Sequence, residues 1–351
     1  MKITNFAVLL LSVTTTMAIA QSRPSAQPAL ASTGVSIAPW TGQNVQHAYG
    51  LPELKPKAKG SITVDNNGFT FTGKSGLYAI PWAEITAISS GNERVELWGT
   101  KGRIVRMLIP NGGGIAAAAV MHHKVNELTV EFHDKRGAYH AAVFFLPGVD
   151  AEHVLKSSTL AVPSLKDPVA VASLDSPVLS CEGATVVTGA VLVSPPTWTQ
   201  SDVPAAYRAS VYEHIIDRLQ KVQGVGHVYR AGESGVQPMC PQFTVAISIV
   251  SFKPGNQVVR ASTGPIGFFA NTTQMVFNAT ITDASGRLNK TVLLKATVRG
   301  ESESLTIADG VAKKLAKLYA TNLKTFNASA PVNPGTAPRP LQASAFQSPQ
   351  L

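Results

Sequence analysis

Catalysis and metal binding both need polar side chains at set spacings, so the histidines are read first. His122 and His123 are adjacent. Neighbours on a strand point to opposite faces, and neither has the partner four residues away that a helical zinc site requires. No metal centre is expected there. If Lys135-Arg136 forms a two-residue hairpin loop, His140 faces Glu131, as a surface salt-linked pair more than as an acid–base couple. His133 beside Asp134 fits a solvated turn, and His214 borders the apolar stripe of a helix. Asn111-Gly112-Gly113-Gly114 resembles a phosphate-cradling loop only in its glycines, because no Lys-Ser/Thr follows. The chain has no G-x-S-x-G, S-x-x-K or H-E-x-x-H, so no catalytic residue and no cofactor is expected. The most unusual loop sets Arg260 before Gly264-Pro265-Ile266-Gly267. Arg260, Gly264 and Gly267 are the candidate binding residues, since a guanidinium and backbone amides suit an anion or a carboxylate.

The start of the chain gives an address. Lys2, the apolar run Ile3 to Val13 and Ala18-Ile19-Ala20 have the order of a secretory signal, with cleavage at about Ala20. A secreted or periplasmic mature chain is therefore expected. The formal charge is +9, and loss of Lys2 leaves +8. Its sign is spread evenly, with 11 Lys/Arg against 9 Asp/Glu between Leu51 and Asp150 and 16 against 12 between Ala151 and Ala330. Nucleic-acid binders concentrate charge in a stripe, so nucleic acid is excluded as partner, while weak contact with anionic envelope surfaces stays open. Cys181 and Cys240 are the only cysteines, and in an oxidising compartment the economical reading is one disulfide between them.

These residues have to be positioned by elements, and the periodicities define two sets. Residues 21–59 are rich in Pro, Ala, Ser and Gln without a period and read as a flexible leader. From Gly60 a period of two recurs in Ile62/Val64, Phe69/Phe71 and Leu77 to Trp82, then Arg94 to Trp98 and Arg103 to Ile109. The clearest hairpin is Leu128 to His133 with Ala138 to Leu146, across Asp134-Lys135-Arg136-Gly137. Leu128, Val130 and Phe132 share a face that Tyr139, Ala141 and Val143 are expected to meet. A short helix follows from Asp150 to Lys156. With Gly60-Ser61-Ile62-Thr63-Val64, Ile80-Pro81-Trp82 and this hairpin as carrying residues, 60–158 resembles a small antiparallel barrel of the pleckstrin-homology or GRAM type. Lipid-binding members carry a basic first hairpin, but the matching turn here, Asp65-Asn66-Asn67-Gly68, has no cation. The chain is therefore not expected to bind phosphoinositides.

Residues 159–178 read as a linker. Beyond it come a strand (Thr185 to Val193), a helix (Pro204 to Gln223, with Tyr207, Val211, Ile215 and Leu219 on one stripe) and a short strand (Gly226 to Arg230). Three alternating strands follow, through Phe243, Met275 and Val292, and then a helix from Thr306 to Phe326. That order is an α+β sandwich with helices on one side of a mostly antiparallel sheet. Phe252, Gly255, Arg260, Gly264 to Gly267 and Asp283-Ala284-Ser285-Gly286 make 179–326 similar to an uncharacterised family of bacterial envelope domains, often found in small lipoproteins. Residues 327–351, with five prolines and no acid, read as a disordered tail.

Together these readings give an α+β, non-enzymatic binding or assembly protein of the cell envelope, its partner an unknown envelope protein or peptide. The alternative is an envelope-polymer hydrolase with a His/Asp/Glu site assembled across domains. The disulfide reading is the first to check. Thiol titration of the unfolded, unreduced mature chain is expected to find no free thiol, and two per chain would refute the bridge.

Overall fold

The computed structural model describes residues 38–96, 122–146, 151–161, 184–198, 203–234, 239–255, 271–299 and 304–328. The described residues all lie within one compact unit. It is α+β, with three α-helices and two sheets among the described residues, the first antiparallel and the second mixed where a mostly antiparallel sheet was expected.

The first sheet holds β1 (Trp40–Tyr49), β2 (Ala58–Val64), β3 (Gly68–Gly73), β4 (Gly76–Pro81), β5 (Ile85–Glu96), β6 (His122–His133) and β7 (Tyr139–Leu146), followed by α1 (Ala151–Ala161). The strand order is β4-β3-β2-β1-β7-β6-β5. Among the described residues no ladder joins β4 to β5, so the closed barrel is not present as a closed sheet. The sheet nevertheless wraps one core, in which Phe71 and Ile80 meet Ile88, Phe132 and Val154 of α1. Strand β1 corrects the sequence reading, which gave its residues to a flexible leader. A bulge between Gly42 and Val45, with Asn44 at φ 59°, breaks the alternation, and one inward position is a histidine. His47 is fully buried. Its Nε2 accepts from the Leu51 amide at 3.0 Å, and its Nδ1 lies 3.4 Å from the Lys55 carbonyl. Burial lowers its pKa to about 4, so the ring is a neutral staple for the β1–β2 turn.

The second sheet holds β8 (Thr185–Val193), β9 (Thr197–Trp198), β10 (His227–Arg230), β11 (Met239–Lys253), β12 (Thr273–Asp283) and β13 (Asn289–Val298). Its order is β10-β8-β11-β12-β13, with β9 added to β11. Contacts of β8 with β10 and β11 are parallel, and β11, β12 and β13 form an antiparallel meander. Pro241, which lacks an amide donor, sits at the register shift of β11. The helices α2 (Ala205–Leu219) and α3 (Ile307–Ala328) bury Tyr212, Leu315 and Tyr319 against Phe243 and Phe277 of this sheet.

The hairpin β6–β7 differs from expectation by one residue, and the difference reorganises the molecule. The Gly137 amide donates to the Asp134 carbonyl at 2.8 Å and the Asp134 amide to the Ala138 carbonyl at 2.9 Å. Gly137 itself has φ 78°. The loop is therefore a turn followed by a bulge, one residue longer than a two-residue hairpin. His140 now pairs with Phe132, and Glu131 with Ala141. A slip of one residue exchanges the faces of a strand. Ala142, Phe144 and Leu146 join Leu128, Val130 and Phe132 in the first core. Tyr139, Ala141 and Val143, expected on that side, turn outward into the core of the second sheet.

The bulge also brings two backbones together. A Cβ on Gly137 would lie 2.7 Å from the Gly232 carbonyl oxygen, whereas one on Gly286, at φ 74°, would meet nothing within 4 Å. Gly286→Ala is therefore expected to cost only the left-handed penalty, about 1–2 kcal/mol. Gly137→Ala adds a backbone clash and should shift the urea midpoint clearly further; equal shifts would refute this close approach.

Candidate functional site

Helix α2 lies between the two sheets, and its polar side chains form a seam along the junction. The sequence reading gave it one apolar stripe. Its other side carries Ala206, Ala209, Ser210 and Glu213, also buried, so the helix is covered nearly all round. Small residues at positions 206, 209 and 210 were the available signal of a second packed face. Glu213 breaks that pattern and hid it.

Glu213 is 3% exposed. Its carboxylate accepts from Arg230 Nη1 at 2.9 Å and Nη2 at 2.7 Å, and from the Ala141 amide of β7 at 3.1 Å. Arg230 Nη1 also donates to the Tyr139 carbonyl at 3.1 Å. Burial pushes the Glu213 carboxyl up, and the guanidinium opposes that shift. Burial disfavours the Arg230 cation, but Glu213 carries its pKa above the usual arginine range. The pair is a buried, bidentate ion pair. Further along the helix, Arg208 lies 4.0 Å above the Trp198 ring and 3.8 Å from Glu131, which accepts from the Tyr139 hydroxyl at 2.9 Å.

A second cluster lies where α2 meets β1 and α3. The Tyr49 hydroxyl donates to Asp217, and the Tyr49 ring stacks on His214 with centroids 4.1 Å apart. His214 Nδ1 is 4.0 Å from Asp309, which accepts from Arg218 Nε at 2.9 Å. Burial lowers the His214 pKa despite both aspartates. Burial and the Asp217 hydrogen bond raise that of Tyr49. This is the place where the described residues bring a His, two Asp, a Tyr and an Arg within reach of one another.

The predicted site residues fare differently. Arg260, Gly264, Gly267, Cys181 and the 111–114 glycine loop lie outside the described residues. Cys240 is buried opposite Val186 of β8. His122 and His123 are neighbours on β6. His140, expected on the surface beside Glu131, is 5% exposed. It stacks on Phe132 at 5.2 Å, with Nε2 3.6 Å from Asp134. The bulge is the cause. Burial, reinforced by the nearby Arg230 charge, lowers its pKa to about 3, so the ring is neutral. His133 is half-buried. Among the described residues no three His, Cys, Asp or Glu are grouped to hold a metal ion, and no helix is long and apolar enough to cross a membrane.

No protein-family model matches the chain, and no curated protein matches it. Among solved structures, the chain is similar to PelC from Paraburkholderia phytofirmans, in the dodecamer of a single-substitution variant, at 9% identity and a TM-score of 0.24. That likeness covers 38% of this chain and 88% of that one. It is also similar to an uncharacterised protein at 9% identity and a TM-score of 0.25, over 40% of this chain and 99% of that one. At these scores neither likeness bears on function.

The seam makes a quantitative prediction. Removing one member of a buried pair leaves an unpaired charge, so Glu213→Ala should lower stability by about 3–5 kcal/mol in urea unfolding. The double variant Glu213→Leu/Arg230→Met should lose clearly less. A double variant as unstable as the sum of its singles would show that the two side chains act independently.

Proposed function

We propose that this chain is an exported binding or assembly protein of the bacterial cell envelope, taking a peptide strand from a partner protein at an open sheet edge. The signal-like start, Lys2 to Ala20, supports export. The observation that carries the binding reading is the pair of exposed edges. Among the described residues β13 pairs only with β12, and β4 only with β3. Leu293 on β13 is 62% exposed and Leu77 on β4 is 67% exposed. An unpaired edge with an apolar side chain is the surface that strand addition uses. Lys290 and Lys295, exposed on β13, discourage pairing with a second copy of the same strand.

Two meanders, β1 to β4 and β5 to β7, are joined through β1 and β7. Tyr78 of β4 meets Phe132 of β6 with centroids 6.2 Å apart, and α1 packs on the same core. These features support a pleckstrin-homology-like barrel, extended by β1, ahead of an envelope-type α+β domain. Asp65 closes the β2–β3 turn by accepting from the Asn67 amide at 2.8 Å and the Gly68 amide at 3.2 Å. A turn closed by a carboxylate is poor for a phosphate, in line with a partner other than a phosphoinositide. Cys240, facing the start of β8 a few residues after Cys181, suits the proposed disulfide.

The second reading, an envelope-polymer hydrolase, has one observation in its favour: the Tyr49, His214, Asp217 and Asp309 cluster. One experiment separates the two. A photocrosslinking residue is placed at Leu77, at Leu293 and, as control, at exposed Gln220 of the mature chain in its own envelope. The binding reading expects one dominant partner at an edge position and none at Gln220. No edge crosslink, with envelope-polymer turnover that His214→Ala abolishes, would establish the hydrolase instead.

A further inference from the structure

We infer that the outer face of α3 is a docking surface for an anionic phospholipid membrane. This deepens the envelope reading and rests on it for the kind of surface the chain meets. Counted along the sequence, the charge is evenly mixed; placed on the helix, it is not. Lys313, Lys314, Lys317 and Lys324 are all exposed. At 3.6 residues per turn they fall within an arc of about 100° and along about 16 Å of axis. The opposite arc, with Val311, Leu315, Tyr319 and Leu323, is buried in the core. None of the four lysines has an ion-pair partner among the described residues. The single acid of α3, Asp309, is held by Arg218 at 2.5 Å, and no acid follows it on the helix.

The side chains between the lysines leave the stripe purely cationic. Thr321 and Thr325 turn their hydroxyls back onto the Lys317 and Thr321 carbonyls, at 2.9 Å and 3.2 Å. At the far end Arg287 lies 4.1 Å above the Phe326 ring and adds a cation. Lysine presents a compact point charge without the planar fork that reads bases and bidentate phosphates. No exposed aromatic is interleaved with these lysines to stack on a base. The apolar side of α3 is occupied by protein, so the helix rests on headgroups and inserts nothing. Such a contact gains about 1 kcal/mol for each lysine near an anionic surface and is screened by salt.

The test is sedimentation of the full mature protein with phosphatidylcholine vesicles, with and without phosphatidylglycerol. The protein should sediment with the phosphatidylglycerol vesicles alone, and added salt should release it. Lys317→Gln should weaken partition about fivefold, and the fourfold variant Lys313/Lys314/Lys317/Lys324→Gln by about a hundredfold or more. Lys74→Gln/Lys135→Gln, exposed on the first sheet, should change nothing. Unchanged partition of the fourfold variant at an unchanged urea midpoint, equal binding to both vesicles, or tighter capture by duplex DNA or polyglutamate would each overturn the proposal. The assay needs no envelope partner. Lysine-dependent sedimentation without an edge crosslink would sink the partner reading alone, and the converse result would sink this one alone.

Discussion

Strand β7 has to satisfy two neighbours at once, and the rest of the molecule follows from how it does so. All eight of its residues are buried. Its inward face closes the core of the first sheet, and its outward face enters the core of the second. Its pairing with β1 runs only as far as Val143, so the edge at residues 139–141 would be left with unpaired amides in a dry place. An unmade backbone hydrogen bond there costs about 1–3 kcal/mol. The second half of the chain supplies the partners. The Ala231 carbonyl accepts from the Tyr139 amide at 2.9 Å, Glu213 accepts from Ala141, and Arg230 donates to the Tyr139 carbonyl.

The charged seam is a consequence of that edge. Where β1 stops, a carboxylate has to be buried to take an amide, and a buried carboxylate needs a cation. Arg230 fills both requirements because its fork spans Glu213 and the β7 carbonyl together. Hydrophobic packing alone would let α2 slide along the sheet. The seam fixes its register, since Glu213 is tied to Arg230 of β10 and Ala141 of β7, Asp217 to Tyr49 of β1 and Arg218 to Asp309 of α3.

Most elements of the second half were legible because each carries one clean period. The alternation through Phe243, Met275 and Val292 and the α3 stripe correspond to β11, β12, β13 and α3. The first half was legible in part. The strand Tyr139–Leu146 reads as having one core face and His140 on the surface, because the one-residue bulge at Gly137 cannot be told from a two-residue turn by composition. Strand β1 was hidden because its inward positions include His47 and its period is broken at Asn44. The seam was hidden for a different reason. Glu213 and Arg230 stand 17 residues apart, and nothing in local spacing says that a helix and a strand will meet on the edge of a third element.

The same folding event sorts the charges that are evenly mixed along the sequence. Acids are drawn inward or into turns: Glu213 to Arg230, Glu131 to Tyr139 and Arg208, Asp217 to Tyr49, Asp309 to Arg218, and Asp283 to the amides of its own turn. The cations drawn in with them are arginines, whose forks can be satisfied without water, whereas the strongly hydrated lysine ammonium stays outside. Pairs such as Glu213 with Arg230 and Asp309 with Arg218 remove an acid and an arginine together from the outer field and leave lysines behind. Charge that is mixed along the chain is thus sorted by hydration on folding, and on α3, whose single acid Asp309 is held by Arg218, the exposed lysines are left with no other acid on the helix.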